Sequence, residues 1–358
     1  MLTTNVTPQN FDVFVGVDVS KQSFAVTHMN HTLNQRSFKM LSNPQGLYQY
    51  YQKRFPDQRV LYVYEAGCTG YHLYDYLNSQ NQACLVVHPG SIQKSITGNR
   101  VKTNRIDSEY LADQARGGQL HGIRVPDPLY RQLRHLAITR QQHAQDAQRT
   151  KRRIKSLILF ENLQLPKEVE FQKHWSTRYR RALYQLPVPN EAVRFQLDGY
   201  LKDLEHQHNQ ILSIHAQLRS FYREHPEIQK HVLLLKTIPG FGFVVSMFLL
   251  SRIGDPKYLR DIREIGAFAG LVPSEHSTGE GNCRGSITKA GAGTLRSLLV
   301  EAAWVAITKD KELREFYHRI RSKNGMTKGS KIAIVAVARK LTHRAYRVLK
   351  DQRPYVIH

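Results

Sequence analysis

The chain has 358 residues, and its 52 Lys and Arg against 29 Asp and Glu give a net charge of +23 that favours a polyanionic partner over a neutral small molecule. Three scattered cysteines, Cys68, Cys84 and Cys283, exclude a disulfide framework or a zinc cluster and fit a reducing cytoplasm. No basic and apolar leader opens the sequence, and its longest apolar run, Phe243 to Leu250, is too short for a bilayer, so no membrane contact is expected.

The charge is not uniform. Residues 1–120 hold 11 Lys and Arg against 8 Asp and Glu, which leaves 41 against 21 for residues 121–358. In the first, nearly neutral part, β-branched and aromatic runs predict strands at 13–19, 24–29 and 35–40, spaced as an antiparallel meander. The Asn43-Pro44 pair caps a helix, 60–64 returns as a buried strand, 69–78 reads as a helix, 83–87 as a strand and 107–115 as a closing helix. Three strands, helix, strand, helix, strand, helix is the succession of an RNase H-like α/β fold, which by itself does not give function. The carboxylates add to it: Asp18 closes the first run, Glu65 the fourth, and Asp107 opens the last helix. Carboxylates at the ends of separate strands can converge on a divalent metal, as in proteins that cut or rejoin phosphodiesters.

From Leu129 to Leu165 there is neither proline nor glycine, which predicts a long helix. Arg149, Lys151, Arg152, Arg153 and Lys155 cluster on it, suited either to a solvated face or to tracking a phosphate backbone. A further helix shows an apolar seam at Leu197, Leu201, Leu204, His208, Ile211, His215, Leu218 and Tyr222, the alternation of four and three that a coiled coil or a helix hairpin requires. The stretch from Leu233 to Gly242 predicts a helix-hairpin-helix element whose Gly240 and Gly242 let backbone N–H groups approach a phosphate. A polar loop through Ser274, Ser277, Thr278, Arg284 and Lys289 then leads into a helix from Leu295 to Ile307. Hydroxyl residues flanked by glycine and arginine suit a nucleophile beside a phosphate, or simply a turn.

Taken together, Gly16-Val17-Asp18-Val19-Ser20-Lys21, Tyr64-Glu65-Ala66-Gly67, Val101 to Asp107, Ile238-Pro239-Gly240, Ala269 to Glu275 and Ile287-Thr288-Lys289-Ala290-Gly291 resemble the Piv-type DEDD insertion-sequence transposases from about residue 13 to 350. The resemblance implies a RuvC-like α/β domain over 1–125, a helical coiled-coil connector over 126–230 and a mainly α C-terminal transposase domain over 231–350. It implies Mg²⁺ or Mn²⁺ as cofactor, DNA as substrate, a guide (bridge) RNA, a homo-oligomer of two or four copies, and work at the bacterial nucleoid.

Carried over by position, Asp18 is the first D of the tetrad, Glu65 the E and Asp107 the last D; Asn104 stands where an aspartate is usual and offers an amide oxygen without charge. The nucleophile falls on Thr278 by ungapped register and on Ser277 by chemistry, with Arg284 and Lys289 as phosphate partners. The expected function is cleavage and strand exchange through a covalent protein–DNA intermediate. A metal-dependent endonuclease acting on branched DNA, and a non-catalytic nucleic-acid-binding descendant, are the alternatives.

Overall fold

The computed structural model describes residues 3–4, 6–91, 104–170, 175–278 and 281–357, in two compact units, Met1–Val125 and Pro126–His358. Lys102 and Thr103 of the quoted motif lie outside the described residues, as do the side chains of Asn104 and of residues 275–284.

The first unit carries one sheet of β1 (Thr3–Thr4), β2 (Val13–Val19), β3 (Ser23–Asn30), β4 (Gln35–Leu41), β5 (Val60–Glu65), β6 (Ala83–Val87) and β7 (Gly122–Ile123). Their spatial order is β1-β7-β6-β5-β2-β3-β4. The expected meander is β2, β3 and β4, paired antiparallel; β5 then lies parallel to β2 and β6 parallel to β5. The two-residue strands β1 and β7 were not predicted, because a dipeptide carries no periodicity.

Helices cover both faces, which is why the central strand β2 reads as a nearly unbroken apolar run. On one face Val13, Val15, Val17, Tyr62 and Tyr64 pack with Leu47 and Tyr51 of α1 (Pro44–Arg54) and Leu73 and Leu77 of α2 (His72–Ser79). On the other, Phe14, Leu61, Val63, Leu85 and Val87 meet Leu111, Ala112 and Ala115 of α3 (Asn104–Arg116). Asn43 caps α1 as expected, its side chain accepting from the Gly46 N–H at 3.2 Å. The second helix begins later than predicted, since Gly70 holds a left-handed turn (φ 72°) ahead of it.

His28, 5% exposed, lies in the α1-side core, where its Nδ1 shares a 3.0 Å hydrogen bond with the Tyr51 hydroxyl. Burial, aided by the Arg54 and Arg36 guanidiniums, pushes its imidazole from 6.5 down to about 4. The unfolded chain therefore takes up this proton before the folded one, so the group's stability is complete above about 6.5 and lost as pH falls toward 4. The loss should reach about 3 kcal/mol. Urea unfolding at pH 7.5 and 4.5 should show this dependence in the wild type and not in His28→Gln; parallel pH profiles would refute it.

The second unit is helical: α4 (Pro128–Phe160), α5 (Lys167–Glu170), α6 (Thr177–Tyr184), α7 (Glu191–Glu224), α8 (Pro226–Lys236), α9 (Phe243–Ile253), α10 (Glu264–Phe268), a ribbon of β8 (Pro273–Thr278) and β9 (Gly281–Ile287), then α11 (Gly293–Lys309), α12 (Lys311–Lys323) and α13 (Met326–Asp351). The long α4 stops at Phe160 rather than reaching Leu165, because Asn162 adopts a left-handed conformation (φ 50°) and the Leu163 N–H donates back to Ile158 O at 2.9 Å.

The apolar seam of α7 packs inside the chain, antiparallel to α4: His143 lies against Gln207 (2.6 Å) and Arg140 donates to His215 (3.3 Å). Leu197, Leu201, Leu204 and Leu218 are buried in it as expected. His208 is exposed, and Ile214 and Phe221 fill the seam instead. Tyr130, Leu133, Leu218 and Phe221 join one core with α8, α9, α11 and α13, so the boundary read near residue 230 runs through packed side chains. No helix among the described residues is long and apolar enough to cross a membrane.

Candidate functional site

The sheet register aligns two of the three carboxylates. Val17 of β2 pairs with Tyr64 of β5, so the residues that follow, Asp18 and Glu65, sit side by side at the ends of adjacent parallel strands. Side chains alternate along a strand, so Asp18 shares the face of Phe14 and Gly16, and Glu65 that of Leu61 and Val63, which is the face α3 covers. Ser108, Leu111, Ala112 and Ala115 turn α3 toward this face at helical spacing, and Asp107 stands one turn ahead of Leu111 on the same side.

The donor types suit a hard divalent cation, but the placement stops short of a cage. Among the described residues, no group of three His, Cys, Asp or Glu side chains is close enough to hold a metal ion. Glu109, two residues beyond Asp107, accepts from Gln35 Nε2 at 3.1 Å.

What fixes the first turn of α3 is a set of hydroxyls the sequence did not single out. The fully buried Thr27 hydroxyl shares hydrogen bonds with Ser108 (2.8 Å) and Ser37 (2.9 Å), and Ser108 Oγ donates to Arg105 O at 2.9 Å. Gly16 permits the approach itself: a Cβ there would stand 2.0 Å from Ser108 O and 2.7 Å from Ala112 N.

In the second unit the expected polar loop is an antiparallel β-ribbon. Glu275 pairs with Arg284, Ser277 with Asn282 and Thr278 with Gly281, with a bulge between Pro273 and Glu275. Both candidate hydroxyl residues are thus at the ribbon tip, held by a ladder rather than by free loop. The ribbon's base is anchored by backbone bonds, Thr288 N–H to Val272 O (2.8 Å) and Ala292 N–H to Phe268 O (2.9 Å). Lys289 is exposed and in the left-handed region (φ 53°), and Arg296 Nη1 donates to Ala269 O at 3.0 Å beside it.

The proposed phosphate-tracking residues divide. Arg152, Arg153 and Lys155 are exposed on α4; Arg149 pairs with Asp146 at 2.7 Å, and Lys151 lies 5.7 Å over the Trp175 ring, its pKa lowered first by burial and then by Arg180. Arg180 and exposed Arg181 on α6, missed in the sequence, extend this band; the Ser176 cap preceding Arg178-Tyr179-Arg180-Arg181 was the available signal.

Between α8 and α9, residues 237–242 form the turn on which the helix-hairpin-helix reading rests. A Cβ on Gly240 (φ 86°) would meet Ala302 O at 2.1 Å, so this glycine serves the packing of α11. Gly242 is exposed at the start of α9, which has no side-chain cap.

Comparison with known proteins bears on both units. The family described as Transposase IS116/IS110/IS902 matches residues 232–318, and a DEDD transposase family of the IS110 type matches residues 15–161. A putative transposase y4qE of Sinorhizobium fredii (strain NBRC 101917 / NGR234) is 30% identical over 247 residues, 69% of this chain and 58% of that protein. The chain's match thus spans under two thirds of that relative's length. The transposase for insertion sequence element IS1533 of Leptospira borgpetersenii is 22% identical over 353 residues, 96% of this chain and 97% of that protein. The pilin gene-inverting protein of Moraxella bovis is 30% identical over 180 residues, 49% of this chain and 55% of that protein.

Proposed function

We propose that this chain, which belongs to the IS116/IS110/IS902 family of transposases, cuts and rejoins DNA to move or invert a mobile element. The observation that carries the reading is the register that sets Asp18 beside Glu65 on parallel strand ends, under the first turn of the helix bearing Asp107. With the order of three antiparallel strands followed by two parallel ones, it supports an RNase H-like, RuvC-like unit.

In this reading a hydroxyl of Ser277 or Thr278 attacks the scissile phosphorus, forming a protein–DNA phosphodiester as the bond to the leaving strand breaks and that strand departs with a free hydroxyl. Attack by the hydroxyl of the exchanged strand reverses the step, so rejoining needs no external energy. Lys289 and Arg284 are the candidate partners for charge developing on the phosphate. The carboxylates Asp18, Glu65 and Asp107, with the amide oxygen of Asn104, would hold Mg²⁺ or Mn²⁺, which supplies polarisation of the phosphate and stabilisation of the leaving oxygen. Dividing the chemistry between two units makes assembly of two or four copies part of the proposal, as is guidance by a bridge RNA held on the basic surface.

The test is strand exchange on plasmids carrying the two element ends, supplied with the adjacent noncoding RNA. Wild-type protein should yield rejoined product. Even residues that merely orient a metal ligand are worth roughly 10- to 100-fold, so Asp18→Asn should lower the rate by more than about 100-fold. Exchange at the wild-type rate in this variant, or undiminished in chelator, would refute the role of the carboxylates.

A further inference from the structure

In the second unit, α12, α13, Ile262 and residues 353–356 line a cleft of about 570 Å³, within the range of ligand pockets. Four cations, Lys340, Arg344, Arg347 and Arg353, line it against the carboxylates of Glu312 and Asp351. Two of the four are already committed. Arg344 donates to Asp310 and to Glu312, each at 2.7 Å, and its guanidinium lies 4.5 Å over the Tyr355 ring; Lys340 donates to Glu312. Asp310, 1% exposed, also accepts from the Leu313 N–H (3.0 Å) and the Tyr355 hydroxyl (2.9 Å). Tyr355 N–H donates to Thr237 Oγ1 at 2.8 Å, so this network ties the chain end down as one wall of the cleft.

What the network leaves over points to a ligand. Arg347 and Arg353 are exposed and make no ion pair among the described residues. Asp351 is exposed and opposes the two arginines with a single charge.

We propose that this cleft seats a nucleic-acid phosphate, with Arg347 and Arg353 as its cations. Guanidinium groups match phosphate oxygens in pairs. Of the lining, Lys340 to Val356 lie beyond both stretches that the family comparisons match, 15–161 and 232–318, while Ile262 and Glu312 lie within the second. The inference rests on the reading that the chain works on nucleic acid, and the test separates the two.

The full-length chain is titrated with a 30-mer duplex DNA and with an RNA of matching sequence, over a series of salt concentrations. Arg347→Ala/Arg353→Ala should weaken binding about tenfold and flatten the salt slope by roughly two, one for each phosphate that is no longer neutralised. Arg347→Lys/Arg353→Lys should keep the slope, which excludes misfolding as the cause. An effect with RNA alone assigns the cleft to RNA, an effect with duplex alone assigns it to DNA, and either supports the proposal. Wild-type affinity and slope in the alanine pair, while Arg152→Ala/Arg153→Ala weakens binding, would overturn the cleft and leave the nucleic-acid reading standing. Failure of the wild-type chain to bind either polymer would overturn both.

Discussion

Gly16→Ala should unseat α3 and abolish strand exchange without touching a charged residue. The added methyl would lie 2.0 Å from Ser108 O and 2.7 Å from Ala112 N, both backbone atoms that cannot swing aside as a side-chain end can. The helix must lift from the sheet, which strips cover from Phe14, Leu61 and Val63 and parts the Thr27–Ser108 bond that fixes the turn before Asp107. Overpacking of this kind costs about 3 kcal/mol. For a unit of this size that corresponds to a fall in Tm of roughly 10 °C. Gly67→Ala is the matched control, for its Cβ would meet nothing closer than 3.9 Å. Calorimetry on the two variants checks the account; a Gly16→Ala protein with wild-type Tm and activity would contradict it.

This glycine also shows what could be read from the sequence and what could not. The strands of the first unit were legible because each run is apolar, β-branched and bounded by turn residues, and Asp18 and Glu65 were visible as polar ends of such runs. That Asp18 and Glu65 stand beside one another depends on the Val17–Tyr64 pairing, which follows from the topology of the whole sheet. The Thr27–Ser108 bond joins residues 81 apart in sequence, and nothing local marks either hydroxyl. In the second unit, the seam on α7 was read correctly at Leu197 to Leu204 and at Leu218, yet strict alternation carried it onto exposed His208. A straight helix drifts from the 3.5-residue repeat, so burial passed to Ile214 and Phe221. The hydroxyl segment read as a loop because serine, threonine and glycine signal turns, whereas its pairing as a ribbon is a matter of partner residues across the turn.

That ribbon makes the second large effect specific. Ser277 and Thr278 are uncharged and sit at its tip, paired with Asn282 and Gly281, so replacing both with alanine should leave the fold and nucleic-acid binding intact while removing the nucleophile. The register argues against a simple one-residue slide to exchange one hydroxyl for the other, because a slip re-pairs every rung and reverses the faces of the ribbon. The single variants should therefore differ sharply: one should retain near-wild-type exchange and the other fall to the level of the double variant.

Denaturing electrophoresis of the wild-type chain with end-labelled element DNA tests the central claim most directly, because a side-chain nucleophile must leave protein covalently joined to DNA and water-driven cleavage cannot. The account predicts a labelled adduct at the mass of the chain plus the cleaved strand, absent from Ser277→Ala/Thr278→Ala. Free cleaved ends with no adduct, or an adduct that persists in the double variant, would contradict it.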